Sequence, residues 1–291
     1  MRQNGQWEDA EKWNIGGASQ KKTNMETLAV IKIGGNIIDD EEKLHAFLSA
    51  FAAIKGKKIL VHGGGKLATK LASTLGIQQQ LVDGRRITDA ETLKIVTMVY
   101  AGYINKRIVA ALQALNCNAL GLSGADGNAI LAHKRGVGNI DYGFVGDVDA
   151  IGKALLDQLL RQEYSLVFAP ITHDGKGQLL NTNADTIAKE IAEALSGSFV
   201  VSLVFSFEKS GVLLDANDDS SVIGKIDAKY YKALKEKQLI FAGMIPKLDN
   251  AFAALAAGVQ KVIIGRAEEL PNLLAGQSGT TIVQGTTIVN E

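Results

Sequence analysis

Leu28-Ala-Val-Ile-Lys-Ile-Gly-Gly35 and Lys58-Ile-Leu-Val-His-Gly-Gly-Gly65 are the two stretches of sequence that decide the fold. Each is an apolar run, rich in β-branched residues, that ends in glycines. Such runs are typical of parallel strands buried on both faces. Apolar residues at helical spacing follow each of them, over Glu41–Ile54 and Lys66–Leu75. The beginning of the chain is therefore predicted to alternate strand and helix.

The same alternation continues to the C-terminus. Further strands are predicted at Ala119–Leu122, Ser165–Pro170, Phe199–Phe205 and Lys261–Gly265, further helices at Asp89–Leu115, Thr186–Leu195, Lys229–Lys237 and Leu248–Ala257, and an antiparallel excursion at Gly136–Val148. Alternation of this kind predicts an α/β protein with a mainly parallel sheet and helices on both faces. Ligands bind such sheets at the carboxyl ends of the strands, where the glycines of this chain lie.

Composition narrows the classes of function. The 291 residues are 46% hydrophobic and 21% charged, which is ordinary for a globular protein. Lys+Arg and Asp+Glu number 31 each, so no overall field favours nucleic acid or an anionic membrane. Cys117 is the only cysteine, which is compatible with a reducing compartment, and no apolar run suggests a membrane span. We expect a cytoplasmic protein. Residues Met1–Asn24 are poor in apolar side chains and are interpreted as a disordered extension, a tag, or a start assigned too early with Met25 as the initiator.

The two glycine turns predict an anion site. Glycine allows the backbone to approach a ligand closely, and consecutive N–H groups can point at an anion. A helix that begins at the turn adds the positive end of its dipole. Two such turns after adjacent buried strands make an anion site a stronger prediction than either turn alone.

Other frameworks also use glycine turns. The stretch Gly63–Ala68 fits G-x-G-x-x-A, and Asp83 follows at the distance expected for a dinucleotide fold. HGGG resembles an α/β-hydrolase oxyanion loop, but the chain has no G-x-S-x-G elbow. It also has no G-x-x-x-x-G-K-[ST], H-R-D or D-F-G motif, which excludes P-loop and protein-kinase frameworks. An NAD(P)-binding oxidoreductase therefore stays open.

Three further segments complete a motif set: Asp83-Gly-Arg-Arg-Ile-Thr88, Asn181-Thr-Asn-Ala-Asp185 and Gly243-Met-Ile-Pro-Lys247. Together with the glycine turns they resemble the acetylglutamate kinases of the amino acid kinase family, in order and from about Met25 to the end. The resemblance implies an open three-layer α/β/α sandwich. It also implies that residues 25–195 form a lobe for an acylated amino acid and residues 196–291 a lobe for ATP.

The resemblance assigns the chemistry to a few residues. It implies that Lys32 and Lys247 stabilise a transferring phosphoryl group and that Asp185 holds both lysines in place. Gly34 and Gly35 are implied to donate backbone N–H groups to phosphoryl oxygens. The phosphoryl acceptor implied by the resemblance is a carboxylate of the substrate. Because this carboxylate is already ionised, the reaction requires no nucleophile or base from the protein.

The substrate residues come from the other motifs. The resemblance implies that Gly64 also donates to phosphoryl oxygens and that Gly64 and Gly65 lie against the substrate. It implies that Arg86 binds the α-carboxylate and that Asn181 contacts the substrate as well. We therefore expect N-acetyl-L-glutamate, or N-succinyl-L-glutamate, as the acceptor. His62 is assigned a local packing or bonding role without a part in catalysis.

Nucleotide contacts are implied for two segments: Glu208, Lys209, Ser210, Gly211, Val212 and Leu213, and Leu239, Ile240 and Phe241. The family usually has Asp where this chain has Glu208, so this segment departs from the pattern. Mg²⁺ is expected to enter with ATP, held mostly by phosphate oxygens and water, and histidine spacing suggests no protein metal site.

Regulation is the last expectation. Arginine-inhibited relatives carry an N-terminal amphipathic helix that links dimers into hexamers, and an acidic stretch near the C-terminus. Met1–Asn24 has no apolar stripe at helical spacing, and Leu273–Thr281 has no carboxylate. An arginine-insensitive homodimer is therefore expected. A non-catalytic relative that only binds amino acid or nucleotide stays open, although both lysines and Asp185 argue against it.

Overall fold

The computed structural model describes residues 25–82, 85–215, 217–237, 239–240 and 244–284. Its strands are β1 Thr27–Ile33, β2 Lys57–His62, β3 Leu81–Val82, β4 Arg85–Arg86, β5 Ala119–Leu122, β6 Ile130–Lys134, β7 Val145–Ile151, β8 Ser165–Phe168, β9 Ile171–His173, β10 Leu179–Thr182, β11 Val200–Phe207, β12 Lys225–Ile226, β13 Lys261–Arg266 and β14 Thr280–Ile282. Its α-helices are α1 Gly35–Ile38, α2 Glu41–Ala53, α3 Gly65–Thr74, α4 Ala90–Thr97, α5 Asn105–Ala114, α6 Lys153–Arg161, α7 Ala184–Leu195, α8 Ala228–Glu236, α9 Ile245–Ala256 and α10 Leu270–Ala275.

One eight-stranded sheet forms the centre, in the order β12-β14-β13-β11-β1-β2-β8-β5. The six strands from β13 to β5 in this order are mutually parallel, and β14 runs antiparallel to β13. This confirms the prediction of a mainly parallel sheet. The sheet is continuous through the pair β1–β11. One half of it comes from residues before 196, and the other half comes from residues after.

Helices cover both faces of the sheet, and side chains alternate between them along β1. Leu28 and Val30 belong to a core cluster that includes Ile187 of α7 and Leu248 of α9. Ile31 and Ile33 belong to the opposite cluster, which includes side chains of α2, α4 and α5. Because side chains alternate with a period of two, Lys32 lies on the face that α7 and α9 cover.

A small four-stranded barrel, β10-β7-β6-β9, stands beside the central sheet. The antiparallel excursion was predicted over Gly136–Val148, and the antiparallel pair is β6–β7, with a register shift between Leu131 and Ala132. Most of the predicted segment is the connection between these strands. Its Gly and Asp content is typical of a loop, which explains the misplaced boundary.

The long helical segment predicted at Asp89–Leu115 is one helical stretch with a change of pitch. α4 and α5 are joined by a π-helical segment, Met98–Ile104. By length and composition alone, Ala90–Ala114 is a stretch that could cross a membrane. Three of its apolar side chains, Val96, Ile108 and Leu112, are fully buried in the core cluster that also contains Ile31 and Ile33. It therefore packs as a core helix does.

Candidate active site

A carboxylate held between two lysines lies at the carboxyl ends of the central strands. Lys32 Nζ is 2.7 Å from Asp185 Oδ1, and Lys247 Nζ donates a hydrogen bond of 2.9 Å to Asp185 Oδ2. The three side chains are 14%, 18% and 26% exposed, for Lys32, Asp185 and Lys247 respectively. Cations so little hydrated are rare in folded proteins without a partner. The structure thus brings together the three residues that the sequence predicted to act together.

Local structure explains how three distant segments supply this cluster. Lys32 is the penultimate residue of β1. Asp185 lies in the first turn of α7, where the Asn183 side chain caps the helix by accepting a hydrogen bond from Thr186 N at 3.0 Å. Lys247 lies in the first turn of α9, whose second residue is a proline, a residue type that the first turn of a helix tolerates. Two helix N-termini and one strand end therefore meet at one point.

The charges of the cluster determine its protonation. Burial by itself would raise the pKa of the Asp185 carboxyl, but the charges and hydrogen bonds of Lys32 and Lys247 outweigh it and hold that pKa well below its ordinary value. Asp185 is therefore ionised at neutral pH. Two lysines and one carboxylate leave a net charge of about +1, which suits a phosphoryl group rather than a neutral ligand.

The first glycine turn lies beside this cluster. Gly34 N donates a hydrogen bond of 3.1 Å to Ser206 O at the end of β11. This N–H was expected to bind phosphoryl oxygens, but here it ties the turn to the neighbouring strand. Gly35 begins α1, and a methyl group added to it would meet nothing within 4 Å. Space for a ligand is therefore open at Gly35, while Gly34 serves the shape of the turn.

The second glycine turn begins α3. Gly64 has φ +154°, which side chains rarely tolerate, and a Cβ there would lie 2.3 Å from Ile104 Cδ1 and 3.0 Å from a Tyr100 ring carbon. Gly65 is the first residue of α3, and the N-terminal amides of a helix have no acceptor within it. This turn therefore approaches the π-helical segment closely, and the first N–H groups of α3 have no acceptor inside the helix, as an anion site requires.

Arg86 reaches this turn from the hairpin β3–β4. Its Nη2 donates to Gly65 O and Thr69 Oγ1, each at 2.9 Å, and its Nη1 donates to Gln79 Oε1. Burial raises the pKa of Tyr100, and the guanidinium of Arg86 beside it lowers that pKa in part. Arg86 is therefore fixed beside the glycine turn that the sequence assigned to substrate binding. Asp83 and Gly84 of the same motif lie outside the described residues.

Asn181 connects two motifs that are far apart in sequence. Its Nδ2 donates a hydrogen bond of 3.0 Å to Thr88 Oγ1, and Thr88 Oγ1 in turn lies 3.2 Å from Arg86 O. The sequence interpretation assigned no role to Thr88, which is fully buried. Its place in the motif with Arg86 was the available signal, since a buried hydroxyl requires a hydrogen-bond partner.

The predicted nucleotide segment begins directly after β11 and so lies next to the first glycine turn. Val212 is fully buried in the core and donates its N–H to Thr280 Oγ1 at 2.8 Å, so its side chain does not face a ligand. Gly211 and Leu213 are buried as well, whereas Glu208 is exposed. The buried members shape the loop. Within this segment, the side chains that a nucleotide could reach are those of Glu208 and of its half-buried neighbours Lys209 and Ser210.

Asp219 ties this loop to the sheet. Arg266 Nη2 at the end of β13 donates to Asp219 Oδ2 at 2.6 Å, and Lys209 Nζ lies 3.5 Å from Asp219 Oδ1. Sequence reasoning did not single out this group. In the second predicted nucleotide segment, Leu239 is exposed and Ile240 is buried, and Phe241 lies outside the described residues.

Two other features of the described residues bear on ligand binding. No three His, Cys, Asp or Glu side chains in the described ranges cluster in a way that could hold a metal ion. A cavity of about 440 Å³ between α8 and α9 is lined by Tyr231, Phe252 and Gln284, among others. Gln284 follows the end of β14, which runs antiparallel to β13. The cavity therefore lies toward the ends of the parallel strands opposite to the end that carries Lys32. None of the candidate site residues lines it.

Comparisons with known proteins agree with this geometry. An acetylglutamate kinase of Parabacteroides distasonis is 58% identical over 246 residues, which are 84% of this chain and 96% of that protein. One of Methanopyrus kandleri is 38% identical over 84% of this chain and 96% of that protein. Among solved structures, the N-acetylglutamate synthase of Neisseria gonorrhoeae bound to coenzyme A and N-acetyl-glutamate shares the fold. It has a TM-score of 0.76 at 21% identity, over 90% of this chain and 60% of that one.

A second solved structure, the carbamate kinase of Giardia lamblia bound to AMP-PNP, has a TM-score of 0.64 at 14% identity, over 90% of this chain and 99% of that one. At such identities these likenesses concern the fold alone. The family itself rests on the sequence: the pattern described as "Amino acid kinase family" matches residues 27–266. With that match, the high identity to the relatives above and the lysine–carboxylate–lysine cluster, the chain belongs to the amino acid kinase family and is a kinase.

Proposed function

We propose that this chain transfers the γ-phosphoryl group of ATP to the side-chain carboxylate of N-acetyl-L-glutamate, which is the acetylglutamate kinase step of arginine biosynthesis. The observation that carries the proposal is the placement of Lys32 and Lys247 on one ionised carboxylate at the carboxyl ends of the strands. Relatives named acetylglutamate kinase that are 54–58% identical support the substrate.

The reaction sets an electrostatic problem that this site fits. The attacking carboxylate and the triphosphate are both anions, and two unit charges 4 Å apart repel by roughly 4 kcal/mol at an effective dielectric constant of about 20. Lys32 and Lys247 offset this repulsion with compact positive charges, which suit phosphoryl oxygens. Because Asp185 holds both ammonium groups before substrate arrives, little reorganisation is needed as charge builds up on the transferring group.

The step needs no base from the protein. A carboxylate oxygen of the substrate forms a bond to the γ-phosphorus while the bond from that phosphorus to the bridging oxygen of ADP breaks. The products are an acyl phosphate and ADP. Catalysis then consists of positioning and electrostatic stabilisation. Mg²⁺ accompanies ATP as part of the substrate. Asp185 is occupied by two lysines, so phosphate oxygens and water are the expected ligands of the ion.

The other groups position the two substrates. The amide groups at Gly64 and Gly65 lie against the acceptor and the transferring phosphoryl group, and Arg86 lies where it can bind the α-carboxylate. Asn181 lines the same cleft. Residues 25–195 thus bind the amino acid, and residues from 196 onward bind ATP through Glu208 and its neighbours, with Leu239 and Ile240 further along the chain. The enzyme acts as a cytoplasmic homodimer in this proposal.

The test is a hydroxamate assay. The full chain is incubated with Mg-ATP and N-acetyl-L-glutamate, and hydroxylamine traps the acyl phosphate. Hydroxamate that depends on both substrates supports the proposal. NAD(P)H bound without hydroxamate formation would instead favour the dinucleotide alternative built on Gly63–Ala68. Binding of ATP or amino acid without turnover would favour the non-catalytic alternative.

The acyl group has its own test. We take acetyl because the relatives carry that name, but a succinyl group would need only a local change and one further cation. Comparing kcat/KM for N-acetyl- and N-succinyl-L-glutamate separates the two. A preference for the succinyl substrate of about tenfold, or 1.4 kcal/mol, would replace acetyl in the proposal.

A further inference from the structure

His62 is a buried side chain that the reaction above does not use, although it directly precedes the second glycine turn. It is fully buried, and its Nδ1 lies 2.8 Å from Gly63 O. A carbonyl oxygen can only accept a hydrogen bond, so Nδ1 carries the proton and donates it. Burial lowers the pKa of His62 to about 4, which keeps the ring neutral at pH 7.

Asn105 holds the other side of the ring. Its Nδ2 lies 3.2 Å from His62 Nε2 and also donates to Val167 O at 2.9 Å. Its Oδ1 accepts a hydrogen bond from Lys106 Nζ at 3.1 Å, which fixes which end of the amide faces the imidazole. The unprotonated Nε2 is therefore the acceptor, in agreement with a proton on Nδ1. Gly63 O and Asn105 Nδ2 together determine the tautomer and the orientation of the ring.

The hydrogen bond to Gly63 O acts on the next amide. Gly63 C=O and Gly64 N–H belong to one planar trans peptide, so they point in opposite directions. With the carbonyl directed at His62 in the core, the Gly64 N–H is directed away from His62. A peptide between two glycines can rotate at low cost because neither residue has a Cβ. A rotated peptide would present a carbonyl oxygen, instead of an N–H, to an anionic ligand.

We propose that His62, held by Asn105, is a positioning residue that prevents rotation of the Gly63–Gly64 peptide and so keeps the Gly64 N–H available to the transferring phosphoryl group. Ile104 and Tyr100 pack against Gly64 from the π-helical segment, which directly precedes Asn105. The end of the π-helical segment and the start of α5 therefore support the turn by packing and by hydrogen bonding. This inference rests on the proposed kinase function for its effect on turnover, but its geometric part stands alone.

Two substitutions separate the two contacts of the ring. In His62→Asn the side-chain amide occupies the place of Nδ1 and can still donate to Gly63 O. In His62→Gln the amide reaches the place of Nε2, so it keeps Asn105 and loses Gly63. We expect His62→Gln to lower kcat about tenfold or more, and His62→Asn to keep kcat within about threefold of the wild type. Ser165→Ala, a buried polar change at the opposite end of the neighbouring strand β8, is the control and should leave kcat unchanged.

Melting temperatures are measured for all three variants. Equal losses of kcat in both His62 variants, in proportion to lost stability, would show a purely structural role and overturn the proposal. A second measurement records the ¹⁵N resonances of the wild-type protein with ¹⁵N-labelled histidine. The resonances of His62 are those that are missing from the spectrum of His62→Asn. Protonated Nδ1 with bare Nε2 supports the proposal. Protonated Nε2 overturns it. This result does not depend on the hydroxamate assay: a wild type that forms no hydroxamate would contradict the proposed function and leave the tautomer measurement unaffected.

Discussion

Asn181 and Thr88 are 93 positions apart in the chain, and a hydrogen bond of 3.0 Å from Asn181 Nδ2 to Thr88 Oγ1 joins them. The contact brings the hairpin that carries Arg86 to the strand that leads into α7 and Asp185. The residues proposed to bind the acceptor and those proposed to bind the phosphoryl group are thereby connected through backbone segments only a few residues long. Changes on one side of the cleft are expected to be felt on the other.

The first prediction concerns the two lysines. Lys32→Ala and Lys247→Ala should each lower kcat by at least about 10²-fold, because each removes a cation used most in the transition state. The decrease in kcat is measured by steady-state kinetics with the hydroxamate assay. Lys94→Ala is the control, since Lys94 is exposed on α4 and forms an ion pair with Glu91 on the same helix. If both variants changed only the KM for ATP, the assignment of the phosphoryl site would be wrong.

The second prediction concerns Gly64. Gly64→Ala should lower the free energy of unfolding by about 2 kcal/mol or more, because the new methyl group meets Ile104 and the backbone conformation is unfavourable for alanine. Urea denaturation measures it. Gly35→Ala is the matched control for stability, since its methyl group would meet nothing within 4 Å. Equal stability of both variants would contradict the close approach at Gly64.

The third prediction is a pH dependence of stability. The folded-state pKa of His62 is about 4, below the ordinary 6.5, so between these values the unfolded chain binds a proton that the folded one does not. Stability from this group is complete above pH 6.5 and is lost as pH falls toward 4, by about 3 kcal/mol. Asp185, whose pKa is also lowered, loses its contribution only below about pH 4.

Urea denaturation at a series of pH values separates these contributions. In His62→Asn the decrease between pH 6.5 and 4 should become shallower, while the decrease at lower pH should remain. A decrease between pH 6.5 and 4 that is identical in the variant and the wild type would show that His62 is not its cause.

The fourth prediction concerns Arg86. Arg86→Ala should raise the KM for the amino acid about tenfold or more with a smaller effect on kcat, because a guanidinium binds a carboxylate through two parallel hydrogen bonds. Thr69→Val is the control, since it removes one partner of Arg86 Nη2 without removing the charge. An unchanged KM for the amino acid in Arg86→Ala would remove this residue from the acceptor site.

The fifth prediction is a homodimer that arginine does not inhibit. Residues Leu273–Thr281, which span the end of α10 and the start of β14, contain no carboxylate to pair with a guanidinium. The N-terminal segment Met1–Asn24, on which the expectation of a dimer also depends, lies outside the described residues. Light scattering and activity at millimolar arginine test it. A hexamer whose activity falls severalfold with arginine would contradict the prediction.

The sequence by itself determined the strand and helix pattern, because apolar periodicity and glycine turns are local signals. The strands β1, β2 and β11 and the helices α2, α3 and α8 lie within one or two residues of the predicted bounds, whereas the short helix α1 was not predicted. It also pointed to Lys32, Asp185 and Lys247 as candidates, because each belongs to a motif that resembles those of the acetylglutamate kinases. The misplaced boundary at Gly136–Val148 came from a loop without periodicity.

Only the tertiary structure decided which polar groups meet. Whether the Gly34 N–H faces a ligand or Ser206 O depends on the pairing of β1 with β11, which no local pattern encodes. Val212 belongs to the predicted nucleotide segment, and its side chain is buried in the core because the chain folds back onto Thr280. Hydrogen bonds between segments such as His62 and Asn105 depend on long-range packing, and that is the physical reason why sequence periodicity could not reveal them.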